Sequence, residues 1–278
     1  MEGVISKDGT PIAFDCSGKG SPIILVDGAL CYRASGPMGP LAALLTPHFT
    51  VFKYDRRGRG DSGDTAPYAV EREVEDIEAL IKEAGGSAYV YGISSGAALA
   101  LEAANRLPGV EKLALFEAPF IVDDSRPPIP ENYLAQLNEL IASGRRGAAV
   151  RLFMKLVGVP AIFVVLMRFM PGWSRLTAVA HTLPYDITIV KDNERGKPLP
   201  ARRWASVTVP TLVVVGGKSP AWMRHAMQAL GDVLPNAKRR TLEGQTHMVS
   251  AKALAPVLVE FFNGQGGHNE RLGLARAD

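Results

Sequence analysis

The chain has 278 residues, is 47% hydrophobic and 21% charged, carries a net charge of +3 and contains two cysteines. That length suits one large α/β unit with an insertion and leaves little room for two independent domains. The basic clusters Arg56-Arg57, Arg145-Arg146, Arg202-Arg203 and Lys238-Arg239-Arg240 are short and scattered, and we read them as solvated turns and edges, which excludes a nucleic-acid surface.

Cys16 and Cys31 make no disulfide framework, and no Cys/His cluster has zinc spacing, so neither metal nor cofactor is expected. Residues 1–9 lack an apolar core, so no signal peptide is expected. The longest apolar run, Leu156 to Met167, is broken by Gly158 and Pro160 and is too short to span a bilayer. The expectation is a reduced, soluble, cytoplasmic protein with no membrane partner. Its oligomeric state is left open.

In chain order, Val4 to Lys7 and Ile12 to Cys16 flank Asp8-Gly9-Thr10-Pro11 as an opening hairpin. Ile23-Ile24-Leu25-Val26 is continuously apolar, as a strand buried on both faces should be, and Asp27-Gly28-Ala29 follows its carboxyl end. A short helix from Pro40 and a strand over 50–54 lead to the charged turn Asp55-Arg56-Arg57-Gly58-Arg59-Gly60-Asp61-Ser62-Gly63. Residues 70–84 have a helical period with Val74, Ile77, Leu80 and Ile81 apolar and acids between.

The next stretch organises the rest. Residues 88–91 read as a buried strand, 95–107 as an apolar helix, and Gly92-Ile93-Ser94-Ser95-Gly96 joins them in the pattern G-x-S-x-G. The glycines are needed because Cβ atoms there would collide with the adjoining strand and helix. The turn strains the serine backbone and lifts its hydroxyl above the sheet edge, beside the Ser95 N–H and the positive helix end.

Residues 112–116 form another buried-type strand ending in Glu117-Ala118-Pro119. From about 121 to 207 strands give way to helical patterns over 133–142, 148–157 and 162–170. That stretch is expected to form a helical cap over the site, while Met154, Met167, Met170 and Trp173 could equally fill its own small core. The sheet resumes over 211–215, followed by Gly216-Gly217-Lys218-Ser219-Pro220, a helix around 222–230, a strand over 237–242 and a closing helix over 253–262. The expected division is 1–119 with 208–263 as the core, 120–207 as the cap, and 264–278 as a polar, disordered tail.

A serine hydroxyl needs a base, and the base a third group to hold it. Of five histidines, His247 stands in the glycine-flanked loop after the last strand, from which an imidazole reaches the elbow in the order Ser…acid…His.

The elbow, the turn Asp55-x-Arg57-Gly58-x-Gly60-x-Ser62 and Gly244-Gln245-Thr246-His247 together resemble the α/β-hydrolase superfamily over residues 1–263. The resemblance implies a mostly parallel eight-stranded sheet flanked by helices. Two positions depart from the common pattern: Asp27-Gly28 replaces His-Gly, and no carboxylate follows the seventh strand, where Lys218 and Ser219 cannot hold an imidazolium as an anion would. Glu117 beyond the sixth strand is the best replacement, with Asp123, Asp124 and Asp186 as alternatives. The chain is similar here to zearalenone lactonase-like enzymes, through Asp27-Gly28, Gly92-x-Ser94-Ser95-Gly96, Glu117-x-Pro119 and Ser219-Pro220-Ala221-Trp222. The oxyanion hole should be the Ser95 N–H with an N–H from Gly28 or Ala29, the Asp27 side chain being turned away. Asp55, Arg57 and Ser62 are expected to hold a neighbouring turn.

The expected activity is cofactor-free hydrolysis of an ester or lactone of an apolar small molecule through an acyl-enzyme on Ser94, with Tyr32, Trp173, Trp222 and Met248 lining an apolar entrance. The alternatives are a small-molecule receptor, or an acyltransferase, perhydrolase or lyase on the same fold.

Overall fold

The computed structural model describes residues 2–169 and 171–264; the expected tail from 265 onward lies outside them. Eight strands, β1 (Glu2–Ile5), β2 (Pro11–Ser17), β3 (Pro22–Val26), β4 (Thr50–Tyr54), β5 (Ala88–Ile93), β6 (Val110–Phe116), β7 (Thr211–Gly216) and β8 (Ala237–Leu242), form one sheet in the order β1-β2-β4-β3-β5-β6-β7-β8. Only β2 runs antiparallel to its neighbours β1 and β4; every later pairing is parallel. The most continuously apolar strands lie at the centre, where both faces are covered. β8 is an edge strand whose Lys238, Arg239 and Arg240 stay exposed, which discourages another chain from pairing there.

Alternate residues along the central strands enter two separate cores. Ile24, Val26, Val90, Leu113, Leu115 and Val213 face α2 (Val70–Glu83), α3 (Ser95–Ala104) and α9 (Ala221–Val233). On the other face Ile23, Leu25, Tyr91, Ile93, Ala114, Phe116 and Val214 meet α1 (Met38–Leu45) and α10 (Ala251–Asn263). The parallel pairing of β3 to β8 places the carboxyl ends of these strands, and the loops beyond them, at one edge of the sheet.

Between β6 and β7 lie α4 (Tyr133–Ala142), α5 (Arg146–Leu156), α6 (Ala161–Leu166), α7 (Trp173–Ala178) and α8 (Leu183–Val190), with no strand among them. The first of the three expected helices matches residue for residue. The second begins two residues early, the third is short, and α7 and α8 were not visible as periodic runs. The insertion has its own core, with Tyr133, Leu137, Ala149, Val150, Leu183 and Ile187 packed together. Its last stretch joins the sheet instead: Trp204 is buried, stacks on Phe120 at 5.9 Å and donates its indole N–H to Glu102 at 3.1 Å.

One expectation fails clearly. Arg56 and Arg57 are not solvated: with Arg59 they are fully buried, and the acids Glu73 and Asp76 of α2 turn inward to meet them. Arg56 takes Glu73 with both arms at 2.7 Å, and Arg57 takes Asp76 at 2.9 and 2.7 Å. Planar guanidinium–carboxylate forks allow charges to be buried with their hydrogen bonds satisfied. Asp55 and Ser62 do hold the neighbouring turn: Asp55 accepts the N–H groups of Arg33 and Asp61, and Ser62 Oγ bridges the Asp55 carbonyl to the Ala13 N–H.

Candidate active site

Three non-glycine residues among those described have positive φ: Leu30 (61°), Ser94 (57°) and Glu117 (49°). They lie just beyond the carboxyl ends of β3, β5 and β6, which are consecutive in the sheet. Such conformations cost of order 1–3 kcal/mol each and persist only where the surroundings over-determine them. The fold therefore concentrates its backbone strain on one short arc of the sheet edge.

Ser94 follows β5 at φ 57° and ψ −130°, its N–H held by the Phe116 carbonyl at 2.9 Å, and α3 starts at the next residue. The two glycines are sterically required. A Cβ on Gly92 would come 2.7 Å from the Ala97 Cα, and one on Gly96 would overlap the carbonyl oxygens of Val26 and Asp27. Ser94 is half-buried and in contact with the turn after β3, where a Cβ on Gly28 would lie 3.1 Å from its own Cβ.

His247 Nδ1 lies 2.7 Å from Glu117 Oε2. Glu117 is wholly buried, and its other oxygen accepts the Gly216 N–H at 2.7 Å and the Ser219 hydroxyl at 2.6 Å. The carboxylate is thus aimed by two donors, one from the last residue of β7 and one from the loop after it, the position that lacks an acid. Ser219 supplies no charge there but orients the one that β6 supplies. No hydrogen bond joins His247 to Ser94 Oγ among the described residues; contacts of this kind are often long before substrate enters.

The alternative acids are engaged elsewhere. Asp123 sits at the surface with His225 Nδ1 at 2.6 Å, and Asp124 is exposed. Asp186, on α8, is completely buried and accepts three donors: Ser95 Oγ and Arg56 Nη1 on one oxygen and Arg59 Nη2 on the other, each at 2.7 Å. Burial alone would raise its pKa; the charges of Arg59 and Arg56, with the Ser95 hydroxyl, outweigh it and hold the carboxyl below its usual range.

The same two arginines grip the turn after β3. Arg56 Nη1 reaches the Asp27 carbonyl at 3.2 Å and Arg59 Nη1 the Gly28 carbonyl at 2.6 Å. Because a peptide is planar and trans, fixing the Gly28 C=O directs the Ala29 N–H the opposite way. Asp27 is buried, with Oδ1 unpaired and Oδ2 near the Cys31–Gly36 turn. Burial pushes its pKa up to about 7, against the pull of Arg59, Arg56 and the Gly28 N–H. Sequence reasoning missed this layer. Its signal is the Arg56-Arg57-Gly58-Arg59 run itself, which reads as solvated until its partners on α2 and α8 are placed.

Of the expected lining residues, Tyr32, Trp173 and Trp222 are partly buried against the insertion's core, together with Ala29 and the buried Leu30. Trp173 packs beside Gly147, and the Arg126 guanidinium lies 4.2 Å over the Trp222 ring. Met248 departs from the expectation: it is 86% exposed, because the loop beyond His247 turns its side chain to solvent. The groove of about 490 Å³ lined by Val122, Asp123, Leu199 and His225 includes neither Ser94 nor His247.

Comparison with known proteins agrees with this architecture. Residues 20–257 match the model of the alpha/beta hydrolase family. An alpha/beta hydrolase from Sphaerobacter thermophilus is 56% identical, with a TM-score of 0.86 over 94% of this chain and 100% of that one. An enol-lactonase from Burkholderia xenovorans (20% identity, TM-score 0.70, 95% and 100% covered) and a thermophilic esterase from Thermogutta terrifontis (18%, 0.65, 94% and 97%) share the fold. A matched segment that takes in the elbow, the residues after β6 and the His247 loop settles the placement: the chain belongs to the alpha/beta hydrolase family.

Proposed function

We propose that this hydrolase is a cofactor-free serine esterase or lactonase acting on an apolar small molecule, with Ser94, His247 and Glu117 as its triad. The observation that carries the reading is the 2.7 Å contact of His247 with a fully buried carboxylate whose other oxygen is already satisfied. A buried anion aimed at Nδ1 fixes the tautomer that leaves Nε2 free to take a proton, and it stabilises the imidazolium that results.

Ser94 Oγ attacks the carbonyl carbon as its proton passes to His247. The oxyanion is met by the Ser95 N–H, which as a first-turn donor of α3 has no intrahelical partner, and by the Ala29 N–H. Collapse of the tetrahedral intermediate returns the proton to the departing alkoxide and leaves an acyl group on Ser94. Water, deprotonated by His247, then releases the acid. In a lactone both halves of the substrate stay joined after the first step. The helical insertion acts as the cap, and its apolar side chains with Tyr32, Trp173 and Trp222 favour an apolar substrate. The likeness around Glu117 and Ser219 to the zearalenone lactonase-like enzymes is why lactones stand beside esters here.

The test is pre-steady-state hydrolysis of a chromogenic ester, followed by mass spectrometry after an organophosphonate probe. A burst of about one equivalent followed by repeated turnover, with the adduct on Ser94 and both lost in Ser94→Ala, is the expected result. One equivalent without further turnover would favour a receptor. An adduct elsewhere would remove Ser94 from the role.

A further inference from the structure

Nine large apolar side chains are exposed among the described residues, and six of them crowd into one short segment: Val157, Ile162, Phe163, Val165, Leu166 and Phe169. Phe169 is 70% exposed and Ile162 62%. Of the six residues of α6, Val164 is the one that is buried. A short helix that is apolar nearly all round and packed on one residue has not met the surface it is built for.

The charge of the surrounding chain narrows what that surface is. Between Glu139 and Asp186 there is no Asp or Glu, while Arg145, Arg146, Arg151, Lys155, Arg168 and Arg175 are all present and all exposed. Arg145 finds Glu139 at 3.7 Å, and the Arg168 guanidinium lies 4.5 Å over the Phe169 ring, inside the patch. A second copy of the chain seated on this face about a two-fold axis would bring the patch against itself, cation to cation with no carboxylate from the segment to answer. An anionic lipid surface supplies both missing partners, a layer to take the apolar side chains and negative headgroups for the arginines and lysine. No helix among the described residues is long and apolar enough to cross a membrane, so the mode is lying on the surface.

We infer that α6 and the turn after it, with Phe163, Leu166 and Phe169 inserted and Lys155, Arg168 and Arg175 at the headgroups, dock the insertion onto an anionic lipid surface. This departs from the expectation, on composition, of no membrane partner; scattered charge hid a segment in which every charge has one sign.

Co-sedimentation of the full chain with phosphatidylcholine vesicles, with and without phosphatidylglycerol, tests it. Wild type should bind the anionic vesicles at least about tenfold more tightly than the neutral ones, and lose that preference at high salt. Phe163→Ser with Phe169→Ser should abolish binding to both. Lys155→Gln with Arg168→Gln and Arg175→Gln should abolish only the anionic preference. Thermal melts of both variants confirm folding, and turnover of a soluble ester should not change. No vesicle binding by wild type, equal binding to both vesicle types, or a wild-type dimer in light scattering that the phenylalanine variant dissociates would each overturn the inference, the last by assigning the face to a second copy.

Discussion

Ser95 Oγ donates to Asp186 Oδ1 at 2.7 Å, so the first residue of α3 is tethered by its side chain to the helical insertion 91 residues further on. Through Arg56 and Arg59 the same carboxylate is linked to the Asp27 and Gly28 carbonyls. One buried anion thus ties together the two loops proposed to hold the oxyanion. Ser95→Ala keeps the backbone N–H and removes only the tether. It should cost about 1.5–3 kcal/mol in urea unfolding, the usual worth of a hydrogen bond to a charged group. The turnover number should fall about tenfold with KM little changed, because the donor is loosened and not lost. Asp186→Asn leaves the buried Arg59 guanidinium without a carboxylate, while Arg56 keeps Glu73, and should cost about 3–5 kcal/mol. An unchanged turnover number in Ser95→Ala would limit the network to a structural role.

Ser94 has a backbone conformation that glycine adopts without strain and its own side chain does not. Ser94→Gly should therefore abolish ester hydrolysis while raising stability by about 1 kcal/mol, read as a higher melting temperature than wild type. A lower melting temperature would show that the serine side chain, and not the backbone geometry, stabilises the elbow.

Glu117→Gln should leave a folded protein whose turnover is down on the order of 10⁴, because a neutral amide no longer selects the tautomer or stabilises the imidazolium. Asp123→Asn and Asp124→Asn, at the surface, should stay within a few-fold of wild type. Ser219→Ala should give an intermediate loss, since Glu117 keeps the Gly216 N–H but loses one of its two aiming donors. Equal activity in Glu117→Gln and wild type would send the acid assignment elsewhere.

Stability should fall as pH rises from weakly acidic to weakly basic. Burial pushes Glu194 up to about 8 from 4.5, with Arg126 and Arg195 pulling the other way, and one of its oxygens is unpaired. Burial likewise pushes Asp27 up to about 7 and Asp76 up to about 6. For each group the folded chain holds a proton that the unfolded chain has released. Their contribution is full below the unfolded pKa and is lost as pH climbs through the folded one, from about 4 to about 8. Glu194→Gln, which mimics the protonated acid, should raise the melting temperature at pH 8 more than at pH 5. An equal shift at both would mean that Glu194 is ionised in the fold.

The order of the strands, most of the helices between them, the elbow and the histidine loop were legible from the chain alone, because each rests largely on short-range rules. Continuous apolar runs need two covered faces, a helical period needs one, and the glycine at 92 is demanded by atoms of Gly96 and Ala97 a few residues away, although the one at 96 answers to the Val26 and Asp27 carbonyls at the end of β3. That Glu117, proposed in place of the missing acid after β7, comes within reach of His247 was foreseeable from the family likeness and from strand adjacency, since β6 lies beside β5. Three things were decided only in three dimensions. Ser219, read as a residue that could not do the acid's work, is the donor that aims it. Arg56, read as solvent-facing, is together with Arg59 a buried clamp of the turn after β3. Met248, read as part of the apolar entrance, stands in water. For Ser219 and the arginines the physical reason is the same: whether a charged or polar side chain is buried depends on whether a partner arrives to satisfy it. Glu73, Asp186 and Glu117 arrive from elements 17, 130 and 102 residues away in sequence, a distance over which composition and periodicity carry no information.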